Sequence, residues 1–282
     1  MAWLVFFVTL ALAAVLGIFV NLNRIGFERR LAGEMRGLLA VPPSAVPRSD
    51  VTDRVAHLPA PVERYRQLAV ADRSPVRTLR LHHSGTFRMS PTGKALPIRG
   101  TQLFTADPPG FVWTGRIRMF PGAWIDARDM IVAGHGSMRV LLDDVITLVD
   151  VRGPELDQGS ALRLLAEMPW YPTSLFDART VTWSAIDEAH ACATLHLGFR
   201  EVSGIFEFGS DGLPLGITAK RFKDKGELLP WGGIYRDWRT VSGMRVPFEA
   251  EVSWQLATGA YSYAHWFVDS MEYDETHPMK AR

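Results

Sequence analysis

In "FVWTGRIRM" (111–119) apolar and polar side chains alternate: Phe111, Trp113, Ile117 and Met119 fall on one side, Thr114, Arg116 and Arg118 on the other. Successive side chains of a strand point to opposite faces, so this pattern predicts a strand half buried against a core. The alternation returns in "ACATLHLGF" (191–199), "GIFEFGSDGLPLGITAKRF" (204–222), "VPFEAEVSWQL" (246–256) and "YSYAHWFVDSMEY" (261–273), with "SDG" (210–212) and "TVSGM" (240–244) as turns. From about residue 76 onward the chain reads as roughly ten or eleven strands. Strands met in sequence with short turns favour an antiparallel meander, and a sheet that wide must curl. The expected fold is mainly β with a few helices (α+β), built on a large curled half-barrel sheet.

Residues 154–176 interrupt the strands. Leu156, Leu162, Leu165 and Met168 fall near one helical stripe, Asp157 or Ser160 can cap the start, and Pro169 disfavours helical geometry at Met168. A short helix followed by Trp170 and Tyr171 is expected to plug the hollow of the sheet, with Pro172 turning the chain back into strands. A second short helix is expected in "LPAPVERYRQLA" (58–69), where Pro61 suits a first turn and Val62, Tyr65 and Leu68 share a face.

Upstream the pattern changes again. "WLVFFVTLALAAVLGIFV", Trp3 to Val20, carries no charge, and at about 1.5 Å per residue it nearly crosses a hydrocarbon core of about 30 Å. It is expected to anchor the chain in a lipid bilayer. Arg24, Arg29, Arg30 and Arg36 follow it, which favours a cytoplasmic carboxyl side. "FERRLAGEMRGLLA" (27–40) spaces Phe27, Leu31, Met35 and Leu38 or Leu39 as a helix face, to lie on a membrane surface or to pack on the domain. Three prolines in "VPPSAVPRSD" (41–50) read as a linker. The organisation expected is an anchor (1–23), an amphipathic helix and linker (24–57), one β-rich domain (58–275) and a tail (276–282).

Charge and cysteine narrow the function classes. The 31 basic and 30 acidic residues leave a formal charge of +1, with no global field to draw in nucleic acid, and no nucleic-acid partner is expected. Cys192 is the single cysteine, so neither an intramolecular disulfide nor a paired-cysteine metal site can form, and a buried thiol is expected. "GHGSM" (134–138) is not a G-x-S-x-G elbow, and Asp143-Asp144 lacks the rest of an EF-hand loop. "WGGIY" (231–235) reads as a bend in a strand. His82 and His83, adjacent on a strand, would face opposite ways.

Asp126, Asp129 and His135 could converge if their loops fold together, which keeps a metal-assisted hydrolase as an alternative. No catalytic residue, metal ligand or cofactor is assigned. The aromatics say more. Trp113, Trp124, Trp170, Tyr171, Trp183, Trp238 and Trp254, with Arg116 at the mouth, could line an apolar groove for a hydrophobic or amphiphilic ligand, or could simply fill a closed core. A non-enzymatic scaffold or assembly subunit of a membrane complex is the third reading.

Six stretches carry a resemblance: "LPAPVERY" (58–65), "PPGFVW" (108–113), "GHGSM" (134–138), "LLAEMPWYPTSL" (164–175), "DWR" (237–239) and "GMRVPFEAEVSW" (243–254). On them the chain resembles a bacterial membrane-anchored family known as a domain of unknown function. The resemblance implies a bacterial inner-membrane segment with a β-rich body, and no activity. At the level of fold it is similar to lipid and lipoprotein carriers of the LolA and LppX type, whose curled sheet takes acyl chains and is plugged by helices. Lipid is therefore the ligand that the resemblance implies. Two features depart from those carriers: the arginine flank favours the inside of the cell, and this chain keeps an anchor that a soluble shuttle would lose.

Overall fold

The structure, a computed structural model, describes residues 1–43, 58–70, 74–120, 123–198, 200–223 and 226–274; of residues 12, 13 and 16 it describes only the backbone. Thirteen strands are present among these residues. They are β1 (Thr78–Phe87), β2 (Leu96–Ala106), β3 (Pro109–Phe120), β4 (Ala123–Val132), β5 (His135–Leu142), β6 (Ile146–Arg152) and β7 (Val181–Ala185). After them come β8 (His190–Leu197), β9 (Arg200–Phe208), β10 (Pro214–Phe222), β11 (Leu228–Val241), β12 (Met244–Leu256) and β13 (Gly259–Tyr273). All belong to one antiparallel sheet in the order β6-β5-β4-β3-β2-β1-β13-β12-β11-β10-β9-β8-β7. It curls into a half-barrel, as the meander reading expects. The sequence reading undercounts the strands because β6 and β7, at the two ends of the order, lie largely exposed and carry weak alternation.

Three α-helices of the described residues sit on this sheet: α1 (Ala2–Leu39), α2 (Ala60–Ala69) and α3 (Pro154–Glu167). The inner face of the sheet and α3 share one core that includes Leu81, Phe104, Phe111, Leu162, Leu165 and Phe206. The α3 helix is buried nearly all round, including Leu164, while Leu156 is only half buried, so its inward surface is wider than the leucine stripe predicts. Neither Asp157 nor Ser160 caps it. The N-cap is Gly153 at φ 128°, and both side chains point into the core instead. Pro169 ends the α-helix as expected, and two 3-10 turns, Met168–Trp170 and Pro172–Phe176, carry the chain out.

On α2, Val62, Tyr65 and Ala69 face the core, whereas Leu68 turns out to half exposure beside Gly212. The expected Val62–Tyr65–Leu68 face is thus rotated by one residue at its end. On α1, Leu31, Met35 and Leu38 bury themselves against Leu103 and Val112, with Met130 and Val132 alongside, on the outer face of β2–β4. Packing on the domain is therefore the choice that residues 27–40 make. The sheet is consequently covered on both faces there, by α1 outside and α3 inside, which is why β2 reads as five consecutive buried residues at its end. The anchor expected over residues 1–23 is not shown: among the described residues no helix is long and apolar enough to cross a membrane. The expected linker at 41–50 and the tail at 276–282 fall largely or wholly outside the described residues.

Candidate functional site

The inner face holds one extended polar network in an otherwise apolar core. It begins with Arg163, which the helix period places on α3 one turn before Glu167, so both project onto β2–β4. The Arg163 guanidinium donates to Asp129 Oδ2 at 2.8 Å, Glu167 Oε1 at 2.8 Å and Gln102 Oε1 at 3.1 Å. Gln102 Nε2 closes the ring by donating to Glu167 Oε2 at 2.7 Å. The guanidinium also lies 4.8 Å from the ring centres of Phe111 and Trp113. A planar, permanently charged fork can satisfy several acceptors and stack on aromatics at once, which explains why arginine fills this place. Burial pushes the Glu167 carboxyl above its ordinary range against the opposing pull of Arg163 and Gln102.

Beyond Trp113 the network continues to β1. Trp113 Nε1 donates to His83 Nε2 at 2.8 Å, and Trp266 packs edge-on against the imidazole at 4.7 Å. An Nε2 that accepts from an indole N–H must be the unprotonated nitrogen, so the neutral ring carries its proton on Nδ1. Burial, with the nearby Arg163 charge, lowers His83 to about 3 and keeps it neutral at physiological pH. Its neighbour His82 faces the other way, beside Thr101, as alternation requires.

A second knot lies at the start of α3. Asp157 accepts from the Gly136 amide of β5 at 2.6 Å and from Arg200 of β9 at 2.8 Å, with His135 at 3.7 Å. Gln158 adds bonds to the Lys220 carbonyl at 2.8 Å and the Phe222 amide at 3.2 Å on β10. The helix start thereby ties the β5 side of the half-barrel to the β9–β10 side. At its far end, Tyr235 donates to the Ala166 carbonyl and Tyr273 to the Trp170 carbonyl, each at 2.7 Å. Both bonds occupy carbonyls that a helix end leaves without partners.

Of the eight residues singled out for a groove, six gather inside. Trp113, Trp170, Tyr171 and Trp254 are buried, and Trp183 and Trp238 are half buried at the edge of the same core. Trp170 Nε1 donates to the Pro247 carbonyl at 3.0 Å and Trp183 Nε1 to the Leu175 carbonyl at 2.8 Å. Tyr171 packs 5.0 Å from Phe104. Arg116 and Trp124 stand apart from these, on the outer face, where Arg116 bonds Asp126 and Asp144 and lies 5.9 Å from the Trp124 ring. The reason is parity along β3 and β4, which sends Trp113 and Asp129 inward but Arg116, Trp124 and Asp126 outward.

The same parity separates Asp126 from Asp129, three residues apart on one strand, so the grouping of Asp126, Asp129 and His135 does not form. Each has its own arginine: Arg116 for Asp126 and Arg163 for Asp129. Among the described residues no group of three His, Cys, Asp or Glu could hold a metal ion. Cys192 is half buried and free. A cleft of about 180 Å³ is lined by Thr86, Arg88, Glu251, Ser262, Tyr263 and His265, mostly polar walls around β1, β12 and β13. The inner-face arrangement offers a cation, acceptors and stacked rings.

Of the residues that matter most here, Arg163, Glu167, Gln102 and Arg200 were absent from the sequence reading, and Asp157 entered it only as a candidate cap. Arg163 and Glu167 at i, i+4 inside an apolar run were the one available signal.

The comparison with curated proteins finds no match. Among the solved structures to which the chain is similar are three at low identity. A LolA superfamily protein from Nitrosomonas europaea is 12% identical, covers 77% of this chain and 93% of its own, and superposes with a TM-score of 0.39. A putative outer membrane lipoprotein-sorting protein domain from Vibrio parahaemolyticus is 10% identical over 77% and 91%, with a TM-score of 0.43. A DUF1329 family protein from Desulfovibrio piger is 11% identical over 77% and 92%, also at 0.43. The family model for DUF6544, a family of unknown function, matches residues 49–266, and the chain belongs to that family.

Proposed function

We propose that this chain is a membrane-tethered half-barrel that takes a hydrophobic or amphiphilic ligand, a lipid acyl chain foremost, against its inner face. Segment 154–176 is the stopper that shifts to admit it. One observation carries this reading: β6 and β7 end the strand order without pairing to each other, and the chain that joins them crosses the inner face as α3 and its 3-10 turns. A seam closed by side-chain bonds opens at lower cost than a backbone ladder, because each net hydrogen bond contributes only about 1 kcal/mol. Withdrawing α3, and Arg163 with it, would bare Phe104, Phe111 and Trp113 beside Gln102 and Asp129, an apolar wall with a few polar groups.

The tether is α1. Trp3, Phe6, Phe7, Leu10, Ile18 and Phe19 are half exposed or more, and in the full sequence no charge interrupts residues 3–20. Burying that surface in hydrocarbon would gain about 25 cal/mol per Å².

The stopper can be locked. Ser160 Oγ lies 3.0 Å from where a Gly136 side chain would begin, so Gly136→Cys with Ser160→Cys, on a Cys192→Ser background, brings two sulfurs within bonding reach once the Leu156 carbonyl, also 3.0 Å away, gives by a few tenths of an ångström. Oxidised protein is expected to lose uptake of a fluorescent fatty acid and co-purifying lipid in native mass spectrometry, and reductant should restore both. Equal uptake in the two states would end the stopper idea, and absence of lipid in every state would end the ligand reading. One observation favours a scaffold instead: Phe104, Tyr171 and Leu162 already fill the interior with essentially no exposure. The reduced protein, tested for uptake, separates the two.

A further inference from the structure

The position of α1 on the sheet defines which end of the half-barrel lies nearest its exposed apolar half. Leu38 abuts Gly110, near the start of β3, and Glu34 pairs with Arg128 at 3.3 Å. Arg24 and Glu28 act electrostatically on Arg116, Asp126 and Asp144, farther along. The helix therefore runs antiparallel to β3, and its upstream residues continue toward the β3–β4 end. From Arg116 to Phe120 the strand covers about 13 Å, the rise of about nine helix residues, which brings that end level with the last part of the uncharged run.

That end is apolar at its tips. Phe120 is 64% exposed, Ile146 beside the β5–β6 turn 55%, and Met89 in the β1–β2 turn 52%. These turns belong to neighbouring strands at one end: Leu142 pairs with both Ile125 and Ile146, and Ile98 pairs with Ile117. The exposed cations Arg88 and Lys94 of the β1–β2 connection, Arg99 of β2 and Arg118 of β3 belong to the same end. Apolar tips with arginine and lysine at the same end match an interface of acyl chains beneath anionic phosphates.

We propose that this end of the half-barrel docks on an anionic lipid surface, with Met89, Phe120 and Ile146 seated among the headgroups. The proposal rests on the tether reading and adds the orientation of the domain against the bilayer. Full-length protein on a Cys192→Ser background, labelled with an environment-sensitive fluorophore at single cysteines, tests it in phosphatidylethanolamine–phosphatidylglycerol vesicles. Labels are placed by Leu10→Cys, Met89→Cys, Phe120→Cys, Ile146→Cys and, at the opposite end of β11, Thr240→Cys. Positions 89, 120 and 146 are expected to shift to the blue and be quenched by lipid nitroxides at shallow depth, position 10 by deep ones, and position 240 only by aqueous quencher. Quenching at position 10 with 89, 120 and 146 in water would overturn the docking surface and leave the tether standing. Aqueous quenching at all five would remove the tether and this surface with it.

Discussion

Arg163 shows how much one residue can hold in place. It answers two buried carboxylates and stacks on two aromatic rings, so Arg163→Met leaves Asp129 and Glu167 buried without their partner. The expected loss is about 3–5 kcal/mol in denaturant unfolding, since breaking a buried ion pair costs far more than the pair contributes. Arg163→Lys keeps the charge but not the fork, and is expected to recover only part of that loss. Trp113→Phe removes the bond to His83 and should cost about 1 kcal/mol. On the outer face, burial and the neighbouring Asp126 charge raise Asp144 to about 6. An unfolded carboxyl sits near about 3.9, so between about pH 4 and 6 the folded state binds this proton more tightly, and stability falls as pH rises through that window. Ionised Asp144 thus costs on the order of 2 kcal/mol at pH 7. Asp144→Asn, which tolerates the left-handed backbone at φ 59°, should raise the melting temperature at pH 7 and flatten the profile from pH 4 to 6. An unchanged slope would assign the pH dependence elsewhere.

Among the elements, α3 is the one whose attachment decides whether the half-barrel stays shut. Asp157→Ala removes acceptors from the Gly136 amide and Arg200 together, at an expected cost of about 1–3 kcal/mol. Hydrogen exchange should accelerate at Gly136, along β6 and in α3 while the central strands stay protected; uniform acceleration would mean that the seam does not open by itself. How much of this could be read beforehand differs by element. β3 was legible because Phe111, Trp113 and Ile117 keep strict alternation against one core. β6 was not, since a strand exposed on both faces carries no contrast between them. The helix at 154–167 and its stop at Pro169 were legible from local chemistry. Its inward side was misjudged because Asp157, Ser160 and Arg163 find partners on β2, β4, β5 and β9, which no local window contains.

At the scale of the whole molecule, a meander of thirteen strands produces a wall whose two end strands do not pair with each other, and Asp157 and Gln158 of α3 tie its β5 side to its β9–β10 side. The curl followed from strand number and order, and so was legible. Which aromatics share the interior was legible only where strand parity was known, hence six of eight residues gather and Arg116 with Trp124 do not. The two-sided cover of β2–β4 was invisible, because it requires α1 and α3 to meet opposite faces of the same three strands. That clamp has a geometric result. As α1 is one unbroken helix from Ala2 to Leu39, gripped only through its last turns, the azimuth of the seam around the helix axis is set by residue count alone. Inserting one residue near Arg24 would swing the whole barrel by about 100° relative to the side chains of the first half, and inserting three or four would return it close to its starting heading.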